Sequence, residues 1–108
     1  MHQKWVKNGL IFSQKQEHSW FASHAAVPVA NRVAGDHYRV YFSARDEHNR
    51  SQIGYFEIDL ANPRDVLHLS GDPVLRYGDM GTFDEAGTSS SWLVEYEDKK
   101  YMYYFGWN

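Results

Sequence analysis

The stretch that decides the fold is WFASHAAVPVANRVAGDHYRVYFS, residues 20–43, because FDEAGTSSSWLVEYEDKKYMYYFG, residues 83–106, repeats its pattern 63 positions later. Both copies run in the order of an aromatic lead-in, a small-residue segment, a polar turn and a strand rich in Tyr and Phe. A repeat of about 60 residues is typical of one four-stranded propeller blade with long loops. Aligned without a gap, the copies pair Trp20 with Phe83, Tyr38 with Tyr101, Tyr41 with Tyr104 and Phe42 with Phe105.

The clearest strand within the first copy is HYRVYFSAR, His37–Arg45. Its residues alternate between an apolar face at Tyr38, Val40, Phe42 and Ala44 and a second face at the positions between them, which is the period of a strand. No segment has a sustained 3.6-residue period, so we expect little helix. Loops are predicted over residues 14–23 and 78–91, and turns at Gly35-Asp36 and over DEHNR, residues 46–50. The other predicted strands are 25–33, 52–60, a fourth from 66–69 with 73–77, 92–96 and 100–107.

These elements predict one all-β domain over residues 1–108, a partial five-bladed propeller. An N-terminal hairpin or edge segment around Asn8-Gly9 occupies residues 1–19, an antiparallel four-stranded first blade residues 20–80, and the first two strands of a second blade residues 81–108. Because a blade buries its faces against its neighbours, a blade and a half leaves apolar faces and a strand edge uncovered. We therefore expect the chain to be part of a longer protein or to form a homo-oligomer.

Composition narrows the possible functions. With 43% apolar residues, 23% charged residues and a net charge of −3, the chain reads as a soluble globular protein. Its 11 Lys and Arg are scattered singly, so no basic run favours nucleic acid. The sequence has no cysteine, no HExxH motif, no signal-peptide pattern and no apolar run of the roughly 20 residues that cross a bilayer. We expect no metal, no cofactor, no membrane contact and a cytoplasmic location.

Aromatic residues make up 17% of the chain, with 8 Tyr and 4 Trp. Aromatic side chains suit the half-buried surface of a sheet, so this content can reflect a β-rich fold alone. The alternative is a platform for sugars, since Trp and Tyr present a flat apolar face with a polar tip.

Three segments of the second copy resemble the second blade of the five-bladed propeller glycosidases of glycoside hydrolase family 43 and its relatives. These are GTFDEAG at 81–87, SWLV at 91–94 and KYMYY at 100–104, and YRVYFS at 38–43 with SQIG at 51–54 resembles the first blade. The resemblance implies a glycosidase-like propeller of which this chain holds the first third. The chain departs from the family at SHAAVP, residues 23–28, where a general-base Asp is expected and no carboxylate stands.

Glycoside hydrolysis needs two carboxylates about 5–9.5 Å apart. Asp84 and Glu85 precede the second inner strand and are candidate catalytic residues, while the alternative for Asp84 is that it caps its own Gly-rich turn. The gapless alignment sets Phe21 opposite Asp84, so the first blade lacks this carboxylate. His24 begins the first inner strand and can act as an acid or base, or be a structural hydrogen-bonding group.

Three further residues are candidates for substrate binding. Trp20 and Trp107 can stack on sugar rings or pack between blades. Arg45 can contact a sugar or carboxylate, or form a surface ion pair with its neighbour Asp46.

The sequence therefore predicts the N-terminal portion of a glycoside hydrolase-like propeller that acts on or binds carbohydrate and is inactive by itself. Two alternatives stay open. One is a non-catalytic carbohydrate-binding β-module, and the other is a small β-rich protein that self-associates through exposed strand edges.

Overall fold

A computed structural model describes residues 2–13 and 19–108, and its strands form one six-stranded sheet. The predicted all-β class is confirmed, since the described residues form no helix and accordingly none that could span a bilayer. The strands are β1 (Ser23–Ala34), β2 (His37–Arg45), β3 (Ser51–Asp59), β4 (His68–Leu69), β5 (Gly87–Tyr96) and β6 (Lys99–Trp107).

The first four strands form an antiparallel meander, called here the first unit. β1 pairs with β2, β2 with β3, and β3 with the short β4. The predicted turn at Gly35-Asp36 joins β1 to β2, with Gly35 at a φ of 54°. The strand predicted at His37–Arg45 is confirmed to the residue, because its alternation is clean and turn residues lie on both sides.

β5 and β6 form an antiparallel hairpin, called here the second unit. Glu97 and Asp98 make its two-residue turn with φ of 48° and 64°, the left-handed pair that a type I′ turn requires. The loop predicted over residues 78–91 was partly wrong, because β5 begins at Gly87. The Ser- and Thr-rich start of β5 has little hydrophobic signal, but Ser51 Oγ donates to the Thr88 carbonyl at 2.7 Å across the sheet.

The second unit joins the sheet of the first at one point only, and β5 then lies close to one face of β1 and β2. β3 and β5 share a single parallel pair, Ser51 with Gly87. Ser43 Oγ on β2 lies 3.0 Å from Ser89 Oγ, and Ser90 Oγ donates to the Val27 carbonyl at 3.2 Å. Small hydroxyl side chains therefore let β5 approach β1 and β2 closely while their polar atoms stay hydrogen-bonded.

The hydrophobic core lies on the other face of the first unit. Phe42 is 1% exposed, and its ring centroid lies 5.1–5.7 Å from those of Phe21, Phe56, Trp20 and Phe12. Both faces of β2 are thus covered at this end, one by aromatic rings and the other by β5. The strand alternates as predicted, but over residues 40–44 neither of its faces is exposed to solvent.

The predicted N-terminal hairpin was wrong for the described part of that segment, since residues 2–13 belong to no strand. Gly9 does turn the chain, at a φ of 106°, but the residues beside it pair with other parts of the protein. Arg64 Nη2 donates to the Asn8 carbonyl at 2.6 Å, and Phe12 stacks on Phe56 at 4.5 Å. Residues 14–18 of the loop predicted over 14–23, His18 among them, lie outside the described residues.

The two units confirm the repeat in outline and correct its alignment. Ala22 N donates to the Arg45 carbonyl at the open end of the first hairpin, and Ala86 N donates to the Trp107 carbonyl at the same place in the second. Between these hydrogen bonds and the turn of each hairpin, β2 and β6 contain the same number of residues. Over the same distance β1 contains two residues more than β5, because β1 has more bulges. Trp107 is therefore the structural equivalent of Arg45, and Tyr103 that of Tyr41.

Candidate functional site

The residues predicted to carry function lie at one end of the sheet. Strand pairing runs from Ser23 to Arg45, on to Ser51 and Gly87, and ends at Trp107. His24 follows the first position of this row, Trp20 precedes it, and Asp84 and Glu85 precede Gly87. The sheet register thus brings the predicted residues to a common end, although their individual contacts differ.

Asp84 is a buried turn residue. Its Oδ1 accepts a hydrogen bond from Thr82 Oγ1 at 2.9 Å, and its Oδ2 accepts one from the Tyr104 hydroxyl at 3.2 Å. Its carbonyl accepts the Gly78 amide at 2.9 Å, and only 7% of the residue is exposed. These contacts match the turn-stabilising alternative, and they join the loop before β5 to the exit of β6.

Desolvation, and after it the charge and hydrogen bond of Asp84, raises the pKa of Tyr104 above its ordinary value of 10.0. Asp84→Asn removes the negative charge that disfavours the phenolate, so we expect the Tyr104 pKa to fall. A pH titration of the tyrosine ring resonances by NMR measures it, with Asp65→Asn as a remote carboxylate control. An unchanged Tyr104 pKa in Asp84→Asn would contradict the pairing.

Glu85 and His24 also have local partners. Glu85 Oε2 accepts the Gly81 amide at 2.6 Å, which closes the turn in which Gly81 has a φ of 93°. His24 is exposed, its Nδ1 lies 2.9 Å from Ser23 Oγ, and its backbone is left-handed with a φ of 63°. Such a conformation is uncommon for a residue other than glycine, and it turns His24 out of the regular pleat at a β1 bulge.

The three residues predicted to bind substrate differ in their access to solvent. Trp20 is only 4% exposed, and its indole NH donates to the Ser70 carbonyl at 3.3 Å, so no ring face is free to stack on a sugar. Trp107 is 40% exposed. The predicted ion pair of Arg45 with Asp46 was wrong for the described residues, since Arg45 Nη1 donates instead to Asn49 Oδ1 at 2.9 Å.

Asp46 is held inward by the turn that it stabilises, which explains why it does not reach Arg45. Its Oδ1 accepts the amides of His48 at 2.9 Å and Arg50 at 3.0 Å, and its Oδ2 accepts Gln52 Nε2 at 3.4 Å. Asp46 is 8% exposed and Gln52 is 2% exposed. Gln52 Oε1 is buried without a hydrogen-bond partner among the described residues, an expensive state for a polar atom.

These two buried side chains line an open polar cleft of about 260 Å³ at the same end of the first unit. This volume is below the 300–1,000 Å³ typical of pockets for drug-sized ligands, so the cleft suits a small molecule. It combines acidic, basic, amide and aromatic groups. The remaining lining residues are Ser19, Trp20, Glu47, His48, Asp72, Pro73, Arg76 and Tyr77.

Sequence reasoning included Trp20 among the site residues but missed Asp46, Gln52, Asp72 and Arg76. The polar run DEHNR at 46–50 was interpreted only as a turn, and Asp72 and Arg76 lie in a connection after β4. No motif in the sequence links these four residues. In the described part of the chain, no three His, Asp or Glu side chains lie close enough together to hold a metal ion.

Comparison with known proteins yields two uncharacterized relatives from Mycobacterium tuberculosis, protein MT1551 of strain CDC 1551 / Oshkosh and protein Rv1502 of strain H37Rv. Each is 44% identical over 104 residues, which are 96% of this chain and 35% of the relative. The chain therefore spans about one third of the length of the curated relatives it matches. No protein-family model matches the chain, and no solved structure matches it.

Proposed function

We propose that this chain contributes the opening part of a glycosidase-like β-propeller that acts on or binds carbohydrate, and that the polar cleft is its sugar site. The observation that carries the proposal is the pair of buried polar side chains, Asp46 and Gln52, in a small cleft beside Trp20 and Tyr77. Sugars offer hydroxyl groups that donate and accept, together with apolar ring faces. A site with fixed carboxylate and amide oxygens and the ring of Tyr77 has the matching groups.

The propeller part of the proposal rests on how the two units are arranged. A four-stranded antiparallel meander followed by a hairpin that packs close to it supports this arrangement of successive blades. The first unit is complete, and the second has the first two strands of the same pattern. The greater length of the relatives leaves room for further units.

The contacts favour binding over hydrolysis by this chain alone. Asp84 and Glu85 are engaged in their own turns, and Asp46 accepts three hydrogen bonds within the first unit. A glycosidase mechanism needs one carboxyl group that stays protonated and a second across the scissile bond. In this proposal, further carboxylates come from units outside this chain, and the 108-residue chain binds sugar without cleaving it.

Arg76→Ala is expected to weaken sugar binding at least tenfold, because a hydrogen bond from a charged group contributes about 1.5–3 kcal/mol and 1.4 kcal/mol is a factor of ten. Arg76 is exposed at the cleft, so the change should leave the fold intact. Calorimetric titration of a panel of monosaccharides measures the affinity. Arg64→Ala is the control, since Arg64 is remote from the cleft lining and contacts Asn8.

Two results would count against the sugar site in the cleft. One is a panel in which no sugar binds the chain, and the other is a sugar whose affinity is the same in Arg76→Ala and the unaltered chain. Release of the chromophore from aryl glycosides by the 108-residue chain would contradict the division between binding here and catalysis elsewhere.

The second candidate is a non-catalytic carbohydrate-binding module, and a different observation favours it. The outer face of β6 carries a row of exposed aromatic rings, Tyr101, Tyr103, Phe105 and Trp107. Flat rings at strand spacing are a suitable platform for an extended polysaccharide. Loss of polysaccharide binding in Tyr103→Ala, with unchanged affinity in Arg76→Ala, would favour this module over the cleft.

A further inference from the structure

The outer surface of the second unit is an uncovered aromatic face, called here the receiving face. On β6 the exposed fractions are 46% for Tyr101, 62% for Tyr103, 64% for Phe105 and 40% for Trp107. Trp92, 64% exposed, pairs with Tyr103 and extends the face onto β5. Large contiguous apolar patches are rare on the surface of monomeric proteins and mark interaction sites.

The first unit shows what covers the equivalent face there. Since Trp107 corresponds to Arg45, the alternate residues Tyr103 and Phe105 correspond to Tyr41 and Ser43 of β2. Those two residues face the second unit. Ser43 Oγ lies 3.0 Å from Ser89 Oγ, and Tyr41 lines an open groove of about 330 Å³ with Leu93, Met102 and Tyr104.

The correspondence depends on the corrected alignment, because a shift of one residue moves every side chain of a strand to the opposite face. The gapless alignment would pair Tyr41 with Tyr104. Tyr104 points back toward the first unit, where it lines a groove with Tyr41, and its hydroxyl donates to Asp84 in the loop before β5. It therefore matches Phe42 on the inner side instead. The row Tyr101, Tyr103, Phe105 and Trp107 is thus the face that β5 covers in the first unit.

The opposite side of the molecule is already capped. Phe12 from the N-terminal segment stacks on Phe56 at 4.5 Å and on Phe21 at 5.8 Å, and Trp20 and Phe21 lie over Phe42. Residues of this chain therefore cover the outer face of the first unit, whereas the receiving face of the second unit is bare.

We propose that the receiving face is the docking surface for a third antiparallel β unit, which packs on it as β5 and β6 pack on β1, β2 and β3. The occupant is polypeptide that the longer relatives have in addition to the matched stretch, which leaves 65% of their length outside it. To fit, this unit must present apolar side chains in the positions that Leu93, Met102 and Tyr104 occupy on the second unit.

A thiol-accessibility experiment tests this docking, because the chain has no cysteine of its own. Tyr103→Cys is made in the 108-residue chain, and a cysteine is placed at the aligned position of the full-length mycobacterial relative, in a background without other cysteines. We expect the first thiol to react with a maleimide at the rate of an exposed group and the second at least tenfold more slowly. Leu67→Cys, at a position that is 59% exposed and outside the face, is the matched control and should react alike in both.

Three results would overturn the proposal. Equal labelling of the two Tyr103-position thiols would show that nothing covers the face in the longer protein. Slow labelling in the 108-residue chain, together with a dimer mass by light scattering, would make a second copy the occupant. Protection of the thiol in the full-length relative that appears only when polysaccharide is added would make the face a sugar platform. Circular dichroism of each variant verifies that the sheet has formed.

Discussion

Replacing Phe42 by alanine is expected to lower the free energy of unfolding by about 3–5 kcal/mol, the usual cost of truncating a buried aromatic side chain. Phe42 is 1% exposed and lies at the centre of the ring cluster that joins the N-terminal segment to the first unit. Its loss leaves a cavity that Phe12, Trp20, Phe21 and Phe56 can fill only in part. A domain of this size has a total stability of about 5–15 kcal/mol, so this single change removes a large share.

Urea unfolding followed by tryptophan fluorescence measures this loss. Phe105→Ala is the matched control, because Phe105 lies on a neighbouring hairpin but is 64% exposed, and we expect a change within about 0.5 kcal/mol. A loss below about 1 kcal/mol for Phe42→Ala would mean that the ring cluster is not the core of the first unit.

Most of the fold could be predicted because strand periodicity is a local signal. The strand at His37–Arg45 was placed to the residue. The strand predicted at 52–60 is shifted by one residue from β3, and the one predicted at 100–107 starts one residue after β6 does. The start of β5 was missed for a physical reason. Gly87–Ser91 is stabilised by hydroxyl contacts with the first unit, and such contacts between distant segments leave no periodic pattern in the sequence.

The alignment of the repeat illustrates a second limit of sequence patterns. Matching aromatic residues without a gap gives the correct units, but it pairs Tyr41 with Tyr104, which lie on opposite faces of their strands. Bulges in β1 lengthen that strand by two residues relative to β5, and they cannot be seen without the register. The backbone hydrogen bonds to the carbonyls of Arg45 and Trp107 define the strand register that the sequence does not show.

The candidate site was harder to predict than the fold, because its parts are distant in the sequence. Asp46 comes from the turn after β2, Gln52 from β3, and Asp72 and Arg76 from the connection after β4. Only the folded meander brings them around Trp20. The sequence identified acidic residues before β5 instead, since the family resemblance pointed there, and the structure engages those carboxylates in turns.

Gly54 packs directly against Trp20, which lines the cleft, so this position is sensitive to one added methyl group. Gly54 lies on β3 opposite Phe42, and a Cβ at this position would collide with the six-membered ring of Trp20. Gly54→Ala is therefore expected to lower the free energy of unfolding by about 1–3 kcal/mol, the usual cost of overpacking. Because the indole must move, the wall of the cleft moves with it, and we expect sugar binding to weaken as well.

Gly71→Ala is the matched control for this change. A Cβ at Gly71 meets nothing within 4 Å, so stability and sugar affinity should both stay as in the unaltered chain. Urea unfolding and calorimetric titration of the same protein samples measure the two effects side by side. If Gly54→Ala proved as stable as Gly71→Ala, Trp20 would not be packed on β3. If Gly54→Ala were destabilised but its sugar affinity unchanged, Trp20 would stabilise the core without contributing to sugar binding.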